Sequence, residues 1–252
     1  MAKAVDKFAR FVKADQDVKN RLIWASVGAP GSGKTHFALT APAPIVVFSM
    51  DRGLEGVVEP FQKKKDIYVA EYDWSPTEDL DQQVAIDLRD KFIEDFEDAV
   101  QNARTVIWDK ETDIWEMFRY AEFGAPNDSP RNYPALNQRY RRLINMAKAS
   151  DINFGCLQGM KAEWASKVNK KTGAQGAAAT GAMIRAGFGE LEGLVHVDLF
   201  HRYDKAEKDY IIEVGKSRGP GGFEVQGETL SNVTFAELAQ MVFPDSTDED
   251  WE

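Results

Sequence analysis

A mostly parallel β-sheet with helices on both faces is the fold class that this 252-residue sequence predicts, and three observations predict it. Strand-like and helix-period segments alternate along the chain, as they do where parallel strands are joined by crossover helices. Residues 45–50 (IVVFSM) form a continuous apolar run, the mark of a strand buried on both faces. Residues 28–35 (GAPGSGKT) fit G-x-x-x-x-G-K-[ST] and stand between a β-rich run and a helix, where such sheets hold phosphate.

The elements follow in order. Residues 1–19 place Val5, Phe8, Phe11 and Val12 at the spacing of a short amphipathic helix, an arm ahead of a core domain expected over 20–244. Residues 21–27 (RLIWASV) are strand-like and run into the glycine loop. A helix over 34–39 is stopped by Ala41-Pro42-Ala43-Pro44. After the strand at 45–50, residues 66–74 (DIYVAEYDW) suggest another. Residues 81–103 set Val84, Leu88, Phe92, Phe96 and Val100 on one helical stripe. A strand at 105–108, helices over 112–123 and 136–149, and a strand at 152–157 come next. From 160 to 193 the chain is rich in Gly, Ala and Lys and loses its period, which predicts a flexible functional loop. Residues 194–203 and 210–214 read as an antiparallel C-terminal strand pair, 234–242 as the last helix, and 245–252 as an acidic tail.

Composition narrows the function. A net charge of -10 confines any nucleic-acid site to a local patch. The single Cys156 rules out an intramolecular disulfide and fits a reducing compartment. No apolar run approaches the roughly 20 residues of a membrane span, and the first residues lack a signal-peptide core, so a cytoplasmic protein without a membrane partner is expected. His36, His196 and His201 lack metal-ligand spacing, and Trp108, Trp115 and Phe118 read as core.

The loop Gly28, Ala29, Pro30, Gly31, Ser32, Gly33, Lys34 and Thr35, with His36 beside it, predicts a bound nucleoside triphosphate, ATP, with Mg²⁺. Glycines let successive N–H groups face an anion, Lys34 bridges the β- and γ-phosphates, and the Thr35 hydroxyl ligates the metal. Asp109, ending the strand TVIWD, is the expected second metal residue, reached through water. The Lys110 that follows reads as a solvent or interface charge. Hydrolysis also needs a group to activate water, for which Asp51 and Glu55 are the candidates. Gln158, ending the strand NFGCLQ, is placed to sense the γ-phosphate and to couple it to the loop beyond. Lys216 and Arg218, two residues apart at a strand end, suit a γ-phosphate contact across a subunit boundary.

This ordered set resembles the RecA-like ATPases. FSMD resembles the F-S-L-E element of DnaB-type replicative helicases, whose acid is catalytic. GKSRGPGGFEV resembles their K-Q-R-N-G-P-T-G element, whose Lys and Arg act on the neighbouring subunit's nucleotide. The resemblance implies those roles for Asp51, Lys216 and Arg218, and self-assembly into a ring or filament with shared ATP sites. From about residue 20 to 245 the chain is most similar to small phage-encoded RecA-like ATPases of the single-strand annealing and recombination type. The pieces that carry this are GAPGSGKTHFAL, RTVIWDKETDIWEM, YPALNQRYRRLINMA and FAELAQMVFPDS. Asp51 stands where those relatives carry Glu, which implies slow hydrolysis.

The same resemblance puts the segment after Gln158 in the place of the second DNA-binding loop. There Lys161, Lys167, Lys170, Lys171 and Arg185 are candidates to track a single-stranded DNA backbone, and Trp164 to stack on a base. Arg131, Arg139, Arg141 and Arg142 form a second basic cluster. The tail acids Asp245, Asp248, Glu249, Asp250 and Glu252 are candidates to compete with DNA or to dock a replication or recombination protein. Two other readings stand beside this one: a P-loop kinase acting on a small molecule, and an assembly protein whose nucleotide controls oligomerisation without DNA.

Overall fold

The computed structural model describes residues 20–75, 81–124, 133–168 and 175–251; the N-terminal arm and Arg131 lie outside them. The chain builds β1 (Ile23–Gly28), α1 (Lys34–Leu39), β2 (Ile45–Ser49), α2 (Glu59–Gln62), β3 (Ile67–Glu71), α3 (Gln82–Asn102), β4 (Thr105–Trp108), α4 (Glu111–Phe123), α5 (Pro134–Ala149) and β5 (Asn153–Gln158). It continues with β6 (Met160–Val168), β7 (Gln175–Arg185), α6 (Leu191–Leu194), β8 (Val197–Asp204), β9 (Asp209–Ser217), α7 (Gly222–Val225), β10 (Thr229–Ser231) and α8 (Phe235–Val242). Eight strands form one sheet in the order β10-β9-β8-β1-β5-β4-β2-β3. The six from β8 to β3 run parallel. β9 and β10 complete that edge in antiparallel fashion, so the expected α/β class and the antiparallel pair are both present.

Alternation along each central strand feeds two cores. Ile23, Ala25, Phe48, Trp108, Phe154 and Cys156 face α3, α4 and α5, where Phe92 and Phe96 pack on Trp108 with ring centroids 5.4 and 5.0 Å away. Leu22, Trp24, Val47, Ile107, Leu157 and Leu199 face α1 and α8, with the Trp24 ring 5.1 Å from Phe235. Burying a side chain of this size stabilises the fold by roughly 2–3 kcal/mol each before chain entropy is subtracted. α8 starts with a capping box, the Thr234 side chain accepting from Glu237 N and the Glu237 carboxylate accepting from Thr234 N.

Three expectations need correction. Val84 is 45% exposed, while Phe92, Phe96 and Val100 of the expected stripe are buried together with Ala85 and Ala99, and Leu88 packs half-buried against the same core. Steps of four residues drift by about 40° each on a helix of 3.6 residues per turn, which carries Val84, at the end of the stripe, off the buried face. The aperiodic segment 160–193 is not a continuous loop: β6 and β7 form an antiparallel hairpin outside the main sheet, with an irregularity between Ala162 and Trp164. The acidic tail is not a free appendage. Trp251 is 3% exposed, packs 5.8 Å from Phe243 and 6.0 Å from Phe235, and donates its indole N–H to Ser246 Oγ at 2.7 Å. A 3-10 turn over Asp248–Asp250 leads into it, and Arg104 donates to Asp250 O at 2.8 Å.

Replacing Trp251 with Ala is therefore expected to lower the unfolding free energy by about 3 kcal/mol, read as a shifted urea midpoint. An unchanged midpoint would show that the tail adds nothing to the core.

Candidate nucleotide-binding site

The parallel strands all end at one edge of the sheet, and their ends supply the site. Gly33, at φ +90°, turns the chain from the loop after β1 into α1, and a Cβ there would lie 2.6 Å from the Tyr210 ring. Ser32 is buried, while Ala29, Pro30 and Gly31 form an exposed lip. Lys34 folds back along its own loop and donates to Gly28 O at 2.8 Å and Ala29 O at 3.0 Å. Burial lowers its pKa, and the Asp109 carboxylate opposes that shift. His36 is exposed at the side, its ring parallel to Tyr210 at 6.3 Å.

One strand, β5, separates β1 from β4, so the residues ending β4 stand beside the loop without sharing its backbone ladder. The Thr35 hydroxyl donates to Asp109 Oδ1 at 3.3 Å. A hydroxyl and a carboxylate this close are the hard oxygen donors that Mg²⁺ takes, so these residues fit the metal. Burial, and then the charge of Asp51, push the Asp109 carboxyl up to about 6 against the pull of Thr35, Lys34 and Lys110. Asp51 follows β2, pairs with the Lys110 ammonium and accepts from Gly53 N at 3.0 Å.

A cleft of about 200 Å³ is lined by Gly28, Lys34, Thr35, Asp51, Asp109, Lys110 and Gln158. Glu55 is exposed and does not line it, so of the two candidate acids the structure brings only Asp51 to the cleft. Lys110 takes a left-handed backbone (φ 56°), and its side chain, 48% exposed, pairs with Asp51 and Asp113 at the mouth of the cleft. Gln158 is fully buried and donates through Nε2 to Glu111 Oε2 at 2.6 Å. Nothing in the sequence singles out Glu111. An acid in the first turn of a helix is ordinary, and nothing in the spacing marks this one as buried.

Lys216 and Arg218 do not meet this cleft. Lys216 pairs with Asp198 on β8, which pairs with Ala25, three residues before Gly28. That register puts Lys216 about 10 Å back along the strands and about 10 Å across them from the loop. There Lys216 donates to Glu192 O and Val195 O, and Arg218 donates to Gly193 O at 3.3 Å.

The DNA candidates separate. Lys161 and Trp164 are exposed on β6, Trp164 at 64%. Lys167 lies in β6, but its side chain, like Lys170 and Lys171, falls outside the described residues. Arg185 turns inward to a buried pair with Asp198, and its guanidinium lies 5.8 Å from the Phe200 ring, so it is not displayed with the other cations. Arg139 and Arg141 are paired with Glu122 and Glu190. Among the described residues no helix is long and apolar enough to cross a membrane.

Compared with protein families and with curated protein sequences, the chain matches none. Among solved structures it is similar to a KaiC-like protein of the hyperthermophilic archaeon Pyrococcus horikoshii, at 13% identity over 83% of each chain with a TM-score of 0.45. A likeness that distant leaves the fold class to rest on the strand order itself.

The raised Asp109 pKa has a testable sign. The proton competes with the cation for this carboxylate, so Mg²⁺-dependent nucleotide binding should weaken as pH falls through about 6. Asp51→Asn removes the neighbouring negative charge and should move that limb to lower pH. Nucleotide titrations with and without Mg²⁺ across this range check both shifts.

Proposed function

We propose that this protein is an ATP-hydrolysing, self-assembling RecA-like protein that acts on single-stranded DNA in annealing, recombination or replication. One observation carries the nucleotide half. Lys34, Thr35, Asp51, Asp109 and Gln158, from four separate stretches of chain, converge on one cleft at the ends of parallel strands. The loop 28–35 holds the triphosphate. Lys34 exchanges its contacts with Gly28 and Ala29 for phosphate oxygens, and Thr35 with Asp109 holds Mg²⁺. The metal, when bound, neutralises charge developing on the phosphates. Asp51 activates the attacking water and Gln158 reports the terminal phosphate.

Self-assembly is supported by the placement of Lys216 and Arg218 far from their own loop. Cations so placed complete a site only on a second copy, as the resemblance to the replicative-helicase element implies. The DNA half rests on the exposed Lys161 and Trp164 of the projecting hairpin and on the resemblance to phage annealing ATPases, which would place the protein in a host cytoplasm.

Lys34→Ala should abolish turnover, and single-stranded DNA should raise it in the wild type at low salt. Lys34→Ala mixed with Arg218→Ala should regain activity that neither has alone, because each supplies the half site the other lacks. A mixture as inactive as its components would count against shared sites. Trp164→Ala should weaken DNA binding by about 1–3 kcal/mol, and ATPase activity indifferent to DNA would remove the DNA half.

A further inference from the structure

Glu111 opens α4 and is fully buried. Every hydrogen bond it makes through its carboxylate is accepted: from Tyr140 Oη at 2.7 Å, from Gln158 Nε2 at 2.6 Å, and from Phe188 N at 3.3 Å to each oxygen. Burial raises the Glu111 pKa, and the hydrogen bonds from Gln158, Tyr140 and Phe188 oppose that shift; as a carboxylate it only accepts, which fixes the end of the amide that faces it, so Gln158 turns Nε2 toward Glu111. Gly187, at φ +90°, presses on the same pair: a Cβ there would lie 2.2 Å from Glu111 Oε2 and 3.0 Å from Gln158 Nε2. The other end of the amide, Oε1, is buried and has no hydrogen-bond partner among the described residues, although Gln158 lines the cleft. A buried acceptor left unpaired is destabilising, and it persists where another group over-determines the side chain.

We propose that Glu111 is a positioning residue of the nucleotide site: by holding Nε2 it makes Gln158 offer the cleft a carbonyl oxygen. An acceptor cannot bond a phosphate oxygen, but it can take a proton-bearing ligand. Gln158 therefore meets the terminal phosphate through the attacking water, which it orients by accepting one of the water's hydrogens. This inference rests on the hydrolysis reading above. It also explains why the junction beyond the hairpin is fixed to the site, since Phe188 N binds the same carboxylate and Ala186 N donates to Gly159 O at 3.0 Å.

The test compares Glu111→Gln with Tyr140→Phe. The first gives Gln158 a donor to meet and lets its amide turn over; the second removes one hydrogen bond to Glu111 and leaves Gln158 untouched. Glu111→Gln should lose about tenfold or more in kcat with the Mg²⁺–nucleotide Kd nearly unchanged, whereas Tyr140→Phe should stay within about twofold in both. Equal losses in the two variants, or a wild-type kcat in Glu111→Gln, overturn the proposal. Should Glu111→Gln fail to fold, the wild type still decides. The Gln158 side-chain amide protons, followed by nuclear magnetic resonance, should stay protected from solvent exchange with and without a non-hydrolysable ATP analogue and Mg²⁺. Rapid exchange of those protons in either state overturns the proposal. A wild type that binds nucleotide without turnover overturns the hydrolysis reading alone, and the amide protons still judge Glu111.

Discussion

The buried carboxylate of Asp109 is the constraint around which the site is arranged. It sits at the end of a strand with apolar neighbours on both faces, and desolvation alone disfavours its charge. Its compensation comes from Thr35 and Lys34 at the start of α1 and from Lys110 at the start of α4. Lys110 reaches it only because a left-handed residue starts α4 there, and Asp51 in turn holds Lys110. Remove any one and the others face an uncompensated charge. The folded state also retains the Asp109 proton more tightly than the unfolded chain does. Asp109 therefore costs stability at neutral pH, and that cost fades as pH falls through about 6 toward the ordinary carboxylate value.

Buried imidazoles act in the opposite direction. Burial holds His201 down to about 3 and His196 to about 4, so both stay neutral in the fold. His201 sits against Ser26 Oγ at 2.9 Å, directly beneath the loop. The unfolded chain takes up protons at these positions below the ordinary histidine pKa near 6.5, and the stability they contribute is lost as pH falls from there toward their folded values. Acid thus favours protonated Asp109 and disfavours the imidazole beside the same loop.

Much of this was legible in the sequence because it depends on local pattern. The glycine loop, the apolar run of β2 and the strand ending in Asp109 are each marked by consecutive residues, and the structure brings their ends to one edge of the same sheet. What the sequence hid depends on neighbours distant in the chain. Glu111 and Lys110 look like ordinary helix-start charges until Gln158 and Asp51 arrive beside them. The hairpin of β6 and β7 went unseen because Ala on both strands, with Gly on β7, leaves no alternation to read. The run of tail acids masked Trp251, whose burial is set by Phe235 and Phe243. Arg185 looked like one more loop cation, and only the fold supplies its partner, Asp198.

The central position of β1 has a consequence for how the molecule comes into being. The N–H groups of Leu22, just before it, and of Ile23, its first residue, are held by Asn153 and His196, 131 and 173 residues further along the chain. During synthesis at roughly 5–20 residues per second, the strand that carries the glycine loop waits on the order of ten seconds or more for its flanking strands to emerge. The glycine loop is thus among the first segments made and among the last to take shape, so a ligand bound there cannot serve as an early template for folding.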